Sequence, residues 1–477
     1  MKKWNHVLLV LSFTGACGVA AEKPNIIVFL TDDQGYNDVG CYGSPDIRTP
    51  NFDRMAAEGM RFTSAYVGSP VCGPSRSALM TGSYPIRIAE PGNRKALHTI
   101  PHTRELMIPE VLKQAGYTSA ILGKWHAGDA KTKGYPLDQG FDYFFGTPKY
   151  NGVTKLIGQS KVRAPLMRNR EVVVEAIEQK EMDQLTTWYT GEAVKFITEN
   201  KDRPFFLYLA HNMPHVPLGV SDKFRGKSKG GFFGDVIEEL DWSMGEILKT
   251  LKQLKLDENT LVVFVSDNGP WIEEEIGDHA GHADPLRGAK MKSWEGGPRV
   301  PFIVRWPGTV PAGVTTDAIA TTMDLLPTFA GLAGSALPED LEIDGRDLMP
   351  LLSGKTDKSP HAYYHYYCYT DLEAVRDARW KLVLPRTAKP KWMGWWGRMI
   401  DEVKSPELYD LDSDIGETVN VAAQHPEVVE RLMKEVGRAS AELGDAGTIG
   451  SGARFFDKGK KRPGIAKYKQ WKAKQGK

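Results

Sequence analysis

Residues 69–82 read Ser69-Pro70-Val71-Cys72-Gly73-Pro74-Ser75-Arg76-Ser77-Ala78-Leu79-Met80-Thr81-Gly82. Pro74 fits the first position of a helix, because its missing N–H would be unpaired there, and Gly82 fits the left-handed residue that follows a short helix. Cys72 is therefore predicted to lie just before a helix N-terminus, where unpaired N–H groups favour an anion. Arg76 adds a permanent positive charge one turn further on. The stretch predicts a binding site for an oxyanion.

The cysteine in this stretch has three interpretations. The first is a buried or disulfide-bonded residue, which leaves the Gly-Pro-Ser-Arg that follows it unexplained. The second is a thiolate nucleophile activated by the helix end and Arg76, as in cysteine phosphatases, although those proteins have a longer spacing between Cys and Arg. The third is a family motif, since Cys-x-Pro-Ser-Arg followed by Leu79-Met80-Thr81-Gly82 resembles the sulfatase signature, in which the cysteine is oxidised to formylglycine before folding.

The composition describes an ordinary globular protein. The chain has 477 residues, a formal net charge of +1 and 41% hydrophobic residues, so it can bury a large core and has no excess of positive charge for a polyanion. Nucleic acid is therefore not an expected partner. Four cysteines are too few for a disulfide framework.

The N-terminus has the three regions of a secretory signal peptide. Met1-Lys2-Lys3 precedes the apolar run Val7–Leu11, and small residues continue to Ala21, after which cleavage is expected. The apolar run is too short to span a membrane, so no transmembrane segment is predicted. Gly15-Ala16-Cys17 leaves lipoprotein anchoring at Cys17 as an alternative, although Thr14 stands where an aliphatic residue is usual. We expect export to the bacterial periplasm.

Four apolar runs each end in polar residues. Continuous apolar runs are typical of parallel strands covered on both faces, and ligands of open α/β sheets bind outside the carboxyl ends of such strands. We therefore expect the polar groups that follow these runs to share one site. The runs and the residues that follow them are Pro24–Thr31 with Asp32-Asp33, Thr118–Gly123 with Lys124-Trp125-His126, Phe205–Ala210 with His211 to His215, and Thr260–Ser266 with Asp267-Asn268-Gly269.

A metal site is predicted from four of these residues. Asp32, Asp33, Asp267 and Asn268 offer oxygen ligands without thiol or imidazole, which favours Ca²⁺ or Mg²⁺ over Zn²⁺. Each acid alone could instead cap a helix. Two adjacent carboxylates repel each other unless a cation or an Arg is close, and the matching Asp-Asn at a second strand end supports the metal.

Lys290 is a further candidate, in the loop from Pro285 to Pro301. A lone Lys is usually a solvated charge, but here apolar residues and glycines surround it, and glycines let a loop backbone approach a ligand closely.

The order of patterns predicts an α/β fold with a doubly wound sheet and helices on both faces, because helical segments alternate with the strands. These segments are Pro50–Gly59, Glu105–Ala115, a face marked by Leu185 to Phe196, and one marked by Val236 to Leu254. Short aromatic runs after Lys355 predict a smaller antiparallel sheet, with strands near Ala362–Tyr367, Arg379–Leu384 and Glu407–Leu411, followed by a helix from about His425 to Leu443. The predicted divisions are a signal peptide 1–21, a catalytic domain 22–358, a C-terminal domain 359–449 and a basic, partly disordered tail 450–477.

The chain resembles the type I, formylglycine-dependent sulfatases, and is arylsulfatase-like, over nearly its whole mature length. The resemblance is carried by Asp32-Asp33-Gln34-Gly35, the cysteine motif, Gly123-Lys124-Trp125-His126, His215 before Val216-Pro217, Asp267-Asn268-Gly269, and Lys290 ahead of Glu295-Gly296-Gly297. It implies the alkaline-phosphatase-like fold, one bound Ca²⁺ and hydrolysis of sulfate esters. Two features depart from it: Met291 stands where many members have Gly, and the segment Trp271–Asp284 matches no member closely enough to name a substrate.

The resemblance also implies a role for each residue. Cys72, converted by a formylglycine-generating enzyme, supplies the attacking oxygen and joins the four oxygen ligands around the metal, with Asp267 as proton acceptor. Lys124, His215 and Lys290 hold the sulfate oxygens, and His215 protonates the leaving alcohol. His126 takes the proton that lets sulfate leave the modified residue, and Arg76 positions that residue.

Two other functions stay open at this point. A phosphatase or phosphodiesterase is one, because phosphate resembles sulfate and related folds use a similar metal site. A non-catalytic sulfated-glycan binding protein is the other, which would result if Cys72 were never modified. We expect a sulfated saccharide attacked at or near a chain end as substrate. Trp395, Trp396 and Arg398 offer rings and a cation for such a ligand, while the alternative is that these Trp residues pack the two domains together.

Overall fold

The structure is a computed structural model, and it describes residues 23–88, 105–128, 134–149, 164–271, 276–339, 341–389, 397, 399–445 and 448–454. The expected signal peptide and most of the basic tail lie outside these ranges. Within the described ranges, no helix combines the length and the apolar character that crossing a membrane requires.

Strands and helices alternate through the first three quarters of the chain. The strands are β1 Asn25–Thr31, β2 Met60–Phe62, β3 Ala65–Tyr66, β4 Thr118–Lys124, β5 Tyr143–Thr147, β6 Leu166–Arg168, β7 Glu171–Val174, β8 Phe205–Ala210, β9 Thr260–Ser266, β10 Phe302–Arg305, β11 Val314–Thr316, β12 Ala320–Thr321, β13 Tyr364–Cys368, β14 Asp371–Arg376, β15 Trp380–Val383, β16 Glu407–Asp410, β17 Gly444–Asp445 and β18 Thr448–Ile449. The α-helices are α1 Pro50–Ala57, α2 Cys72–Thr81, α3 Pro85–Ile88, α4 Ile108–Gln114, α5 Gln179–Met182, α6 Leu185–Glu199, α7 Gly231–Gln253, α8 Leu325–Ala333, α9 Met349–Leu352 and α10 Pro426–Glu442.

Ten of the strands form one mixed sheet, in the order β11-β2-β10-β9-β1-β8-β4-β5-β6-β7. The central strands β9, β1, β8, β4 and β5 are parallel neighbours, while β10, β6 and β7 run antiparallel to the strands beside them. The four predicted strands are thus confirmed. They lie side by side, so their carboxyl ends share one edge of the sheet.

Helices cover both faces of this sheet, as predicted for a doubly wound fold. Side chains alternate along β1, so that Ile27 and Phe29 pack with α1, α6 and α7, whereas Ile26 and Val28 pack with α4 and α8 on the other face. All seven residues of β1 are buried, which explains its continuous apolar sequence. The alkaline-phosphatase-like α/β fold expected from the sequence is confirmed.

The helix that follows the cysteine begins two residues earlier than predicted. Cys72 is itself the first residue of α2, after the extended residue Val71, and Pro74 is the third residue. The prediction placed Pro74 first because its N–H is missing, but N–H groups are unpaired throughout the first turn, so Pro is tolerated at any of these positions. Gly82 follows the helix with φ 62°, the left-handed conformation that was expected.

The smaller sheet contains four antiparallel strands in the order β13-β14-β15-β16, with α10 packed against it. Three strands and the helix were predicted, whereas β14 was missed because its sequence, Asp-Leu-Glu-Ala-Val-Arg, includes three charged residues. Its side chains are nevertheless buried, since Glu373 and Arg376 have partners inside the protein. The small sheet shares a core with Tyr66, Ala78 and Tyr84 of the larger part. The boundary near Ser359 stays a prediction.

Candidate active site

The carboxyl edge of the parallel strands brings the predicted residues together. Asp32 and Asp33 follow β1, Lys124 ends β4 with His126 two residues beyond, His215 follows β8, and Asp267 and Asn268 follow β9. Cys72 and Arg76 enter this edge from α2, and Lys290 enters it from the loop between β9 and β10. All ten side chains are buried.

Asp33 joins three of the surrounding elements. Its Oδ1 accepts hydrogen bonds from Lys290 Nζ at 2.6 Å and from Asn268 Nδ2 at 2.7 Å. Its Oδ2 lies 3.6 Å from His215 Nε2. The residue has φ 66°, an uncommon conformation for a residue other than Gly, and this turns its backbone N–H toward Asp267 Oδ1 at 3.1 Å.

Arg76 links the other two carboxylates. Its Nε donates to Asp267 Oδ2 at 2.8 Å, and its Nη2 lies 3.7 Å from Asp32 Oδ1. Its Nη1 donates to the Lys124 carbonyl at 2.7 Å, while Lys124 Nζ donates to Asp32 Oδ2 at 2.5 Å. Three carboxylates therefore face three cations, namely Lys124, Lys290 and Arg76, in a buried cluster.

The pKa values of the two adjacent aspartates shift in opposite directions. Burial and the charge of Asp267 raise the pKa of Asp32 to about 8. Burial also opposes ionisation of Asp33, but Lys290, His215 and Lys124 outweigh it and lower the pKa of Asp33 to about 2. Burial thus makes the charged form of Asp32 unfavourable, although Lys124 and Arg76 lie beside it.

Three oxygen atoms of this cluster are suited to bind a cation. Asp32 Oδ1, Asp33 Oδ2 and Asn268 Oδ1 are buried, and each has no hydrogen-bond partner in the structure. Ligand atoms of Asp32, Asp33 and His215 lie within 4.8 Å of one another. Carboxylate and amide oxygens suit a hard divalent cation, and Asp32, Asp33 and Asn268 of the predicted set present such atoms. Both oxygens of Asp267 already accept hydrogen bonds, from the Asp33 N–H and from Arg76 Nε. The set of four metal ligands therefore stays a prediction. None of these carboxylates caps a helix in the described chain, which removes the alternative considered from the sequence.

Cys72 lies beside this cluster. Its Sγ is 3.4 Å from His126 Nδ1 and 4.0 Å from Lys290 Nζ. Burial raises the pKa of the thiol above its usual value, although Lys124 and Lys290 act in the opposite direction. The residue forms no disulfide, and neither do Cys41 and Cys368. An unmodified thiol held in its neutral form is a poor nucleophile, which argues against the cysteine-phosphatase interpretation.

His215 faces the site with a defined ring orientation. Its Nδ1 lies 2.6 Å from the Val216 carbonyl, which can only accept a hydrogen bond, so Nδ1 carries the proton of the neutral ring. Burial lowers the pKa of His215 well below its usual value. Nε2 is then unprotonated and lies opposite Asp33 Oδ2, an arrangement that a cation or a proton between the two atoms would stabilise.

Backbone hydrogen bonds hold the loop that carries Lys290. The Lys290 N–H donates to the Pro270 carbonyl at 2.8 Å, and the Met291 N–H donates to the Pro70 carbonyl at 2.9 Å. Lys290 is thereby tied to the loop that follows Asp267 and to the loop that precedes Cys72. Met291 has φ 72°, which explains why Gly is favourable at this position.

Several glycines of this region let backbone segments approach each other. Gly269, Gly296 and Gly297 have other backbone atoms as their closest neighbours, and the expected approach of the loop to a ligand stays a prediction. A Cβ on Gly269 would lie 1.8 Å from the Gly296 carbonyl oxygen, and the Gly269 N–H donates to the Gly297 carbonyl at 2.7 Å. The glycines therefore allow two loops to pack directly against each other beneath the site.

Trp271 is a site residue that sequence reasoning missed. Its ring packs edge-on against His215, with 6.0 Å between ring centroids, and Lys290 Nζ lies 4.8 Å from its centroid. The available signal was its position directly after Asp267-Asn268-Gly269-Pro270, a strand end rich in site residues. Trp395, Trp396 and Arg398 lie outside the described residues, so their proposed contact with a saccharide stays a prediction.

Known proteins resemble this chain over most of its length. The family model described as Sulfatase matches residues 24–335, and that described as N-sulphoglucosamine sulphohydrolase, C-terminal, matches residues 290–442. Human steryl-sulfatase is 38% identical over 437 residues, covering 75% of this chain and 74% of the relative. N-acetylgalactosamine-6-O-sulfatase of Bacteroides thetaiotaomicron is 34% identical over 481 residues, covering 87% and 93%. A solved 6S-sulfatase structure from work on glycosaminoglycan metabolism by Bacteroides thetaiotaomicron has a TM-score of 0.75 and 32% identity, covering 88% of this chain and 99% of that chain.

The close contact of the two loops predicts a strong effect of Gly269→Ala. The added methyl group would overlap the Gly296 carbonyl oxygen, so the loops must separate, and we expect a loss of about 2 kcal/mol or more in stability together with a loss of activity. Gly437→Ala in α10 is the matched control, because a Cβ there meets no atom within 4 Å. That control should leave activity unchanged and raise stability slightly. Urea denaturation and turnover of an aryl sulfate measure both effects, and equal behaviour of the two variants would contradict the assigned contact.

Proposed function

The chain belongs to the sulfatase family, and from this premise we propose that it hydrolyses the sulfate ester of a sulfated saccharide, using formylglycine at position 72 and a bound Ca²⁺. Sulfuric ester hydrolysis itself follows from the family match, since named sulfatases are similar over most of the chain. The observation that carries the detailed proposal is the position of Cys72, at the N-terminus of α2 and between His126, Lys290 and the carboxylate cluster.

Conversion of Cys72 accounts for the chemistry that its thiol lacks. A formylglycine at position 72 would supply, in its hydrated form, an oxygen nucleophile and a second hydroxyl group. The converting enzyme reads a Cys-x-Pro-x-Arg core, and Cys72, Pro74 and Arg76 complete it. A formylglycine-generating enzyme is therefore the proposed partner during maturation.

Ca²⁺ would be held by Asp32, Asp33, Asp267, Asn268 and residue 72, and it would neutralise the carboxylates and polarise a sulfate oxygen. The protein atoms alone balance three carboxylates with three cations. A divalent cation therefore leaves the site with a net positive charge, which favours binding of an anionic sulfate ester.

Two lysines and two histidines provide the remaining functions. Lys124 and Lys290 present ammonium groups beside Cys72, where they can hold sulfate oxygens and stabilise charge in a buried, pre-arranged site. His126, with Nδ1 next to residue 72, can accept a proton from a hydroxyl on that residue. His215 can protonate the leaving alcohol, since an anionic sulfate next to the ring would raise its lowered pKa. Arg76 orients Asp267, the proposed proton acceptor, and fixes the Lys124 backbone.

The saccharide substrate is proposed from the relatives and from the exported character of the chain. One relative is named for N-acetylgalactosamine 6-O-sulfate, and one similar structure comes from work on glycosaminoglycans, whereas another relative is named for steryl sulfate. Sulfated saccharides are met outside the cytoplasm, which agrees with the predicted signal peptide and periplasmic location. The comparisons favour neither the phosphatase nor the non-catalytic binding protein.

Modification of residue 72 gives the first test. In protein made with the converting enzyme, the peptide containing residue 72 should have the mass of formylglycine, and Cys72→Ala should abolish turnover with the fold kept. The control is the same protein made without the converting enzyme, which should carry a thiol and be nearly inactive. Active enzyme with only free thiol at position 72 would show that the nucleophile is misassigned.

Metal removal gives the second test. A chelator should lower turnover and the melting temperature together, because the crowded carboxylates lose their counter-charge and the stabilisation that a bound ligand provides. Added Ca²⁺ should restore both. Metal analysis of active protein should find one Ca²⁺ per chain, and stoichiometric zinc or the absence of any divalent cation would refute the assignment.

The substrate class is tested by comparing kcat/KM on an aryl sulfate, on sulfated mono- to tetrasaccharides and on a phosphodiester. We expect the sulfated saccharides to be preferred. Trp395→Ala and Trp396→Ala separate two roles for these rings: a stacking platform predicts losses confined to saccharides, and packing between domains predicts lower stability with equal losses on both sulfates. Turnover of the aryl sulfate or phosphodiester without turnover of any saccharide would reject the saccharide assignment.

A further inference from the structure

The loop residues that follow Lys290 are bound one after another to the C-terminal sheet and to the loops on either side of β16. The contacts are Cys368 Sγ to the Met291 carbonyl at 3.3 Å, Lys292 Nζ to Asp401 at 3.2 Å, Ser293 Oγ to Glu373 at 2.5 Å, Trp294 Nε1 to Asp401 at 2.8 Å, and the Glu295 N–H to Glu417 at 2.7 Å. Five consecutive residues thus have partners in the C-terminal part of the chain. A loop that carries a site residue is held here by a separate sheet.

Lys381 lies at the centre of this contact. It is on β15, fully buried, and its ammonium donates to the Ser293 carbonyl at 2.8 Å and to Glu295 Oε1 at 3.0 Å. It also forms an ion pair with Glu417 Oε1 at 2.7 Å. Both hydrogen-bond acceptors belong to the loop that carries Lys290.

The surrounding groups make this cation hard to replace. Glu295 also accepts hydrogen bonds from Tyr66 and Tyr366 and pairs with Arg299 at 3.1 Å. Burial opposes its ionisation, but the adjacent cations keep the pKa of Glu295 below its usual value. A buried charge cluster of this kind contributes little net stability compared with apolar residues, but it fixes the relative position of the groups that it joins.

Fixing this loop is necessary because Met291 is held in a strained conformation. A φ of 72° is unfavourable for Met, and such residues persist only when surrounding contacts determine them. On one side the Lys290 and Met291 N–H groups bind the Pro270 and Pro70 carbonyls. On the other side the C-terminal sheet and the loops beside β16 bind residues 291–295. The loop is therefore clamped between the active-site loops and the small sheet.

We propose that Lys381 is a positioning residue for the reaction, which holds the loop 290–295 so that the Lys290 ammonium stays next to Asp33 and residue 72. The inference rests on the proposed role of Lys290 in holding sulfate. Lys381 does not touch the reacting atoms, and it acts through Ser293 and Glu295. The C-terminal sheet is accordingly part of the scaffold of the active site.

The test is a double-mutant cycle between Lys381 and Lys290. Removing Lys381 alone would leave Glu417 unpaired, so the variant is Lys381→Met together with Glu417→Gln, which removes both charges of the pair. The control is Arg305→Met together with Asp257→Asn, a more exposed ion pair at the opposite edge of the sheet, where Arg305 Nη1 lies 2.7 Å from Asp257. All variants are compared as full-length, formylglycine-containing enzyme with an aryl sulfate, and their folding is checked by thermal unfolding.

A positioning role predicts that the Lys381 variant lowers kcat/KM about tenfold, while the control pair lowers only the melting temperature. In the Lys290→Ala background the same variant should cost less than about twofold, because the group that it positions is absent. Equal losses in both backgrounds, or full activity of the folded Lys381 variant, would overturn the inference and leave the sulfatase assignment intact. Full activity of Lys290→Ala would instead overturn the proposed role of Lys290, and the inference with it.

A crystal structure of the Lys381 variant provides a readout that does not need turnover. We expect Lys290 Nζ to move by about 1 Å or more from its position beside Asp33, a displacement large enough to affect catalysis. If the variant folds, crystallises and keeps the 2.6 Å contact between Lys290 and Asp33, the positioning role is refuted. If the variant fails to fold while the control pair folds, Lys381 is required for the structure as a whole and the specific role is likewise refuted.

Discussion

The structure depends on the balance of charge at the carboxyl edge of four parallel strands. Asp32, Asp33 and Asp267 are buried together, and such a group is stable only if positive charges approach it closely. Three parts of the chain supply those charges: α2 carries Arg76, the end of β4 carries Lys124, and the loop before β10 carries Lys290. The helix, the strand end and the loop are therefore held together by the pairing of these carboxylates.

The same balance explains how the site serves sulfate hydrolysis. Protein cations and carboxylates cancel one another, yet three oxygen atoms of the cluster keep no hydrogen-bond partner in the structure. A divalent cation at these atoms would pair with them and would make the site attractive to an anion. Residue 72 lies at the N-terminus of α2, where the positive end of the helix dipole also favours an anion. The same arrangement of charges would thus bind the anion and activate the nucleophile.

Contacts outside the charge cluster keep its residues in place. Gly269 and Gly296 allow the loop after β9 and the loop before β10 to touch through their backbones. The loop before β10 is in turn joined to the C-terminal sheet through Glu295, Lys381 and Glu417. The small sheet is therefore connected to the chemistry, although none of its described residues belongs to the charge cluster.

The sequence by itself determined the four central strands, their polar carboxyl ends, the cysteine motif and the α/β class, because short, contiguous sequence patterns indicate each of them. The local sequence marked Lys290 and Cys72 as candidates, but their roles in the reaction came only from the resemblance to a family, since a single Lys or Cys does not define a reaction. Only the tertiary structure decided that α2 begins at Cys72, that Trp271 packs between His215 and Lys290, that β14 buries its charged residues, and that Lys381 holds the loop of Lys290. The reason is physical: these features depend on partners that are far apart in the sequence, and the energy of a buried charge or ring is set by what lies next to it in space.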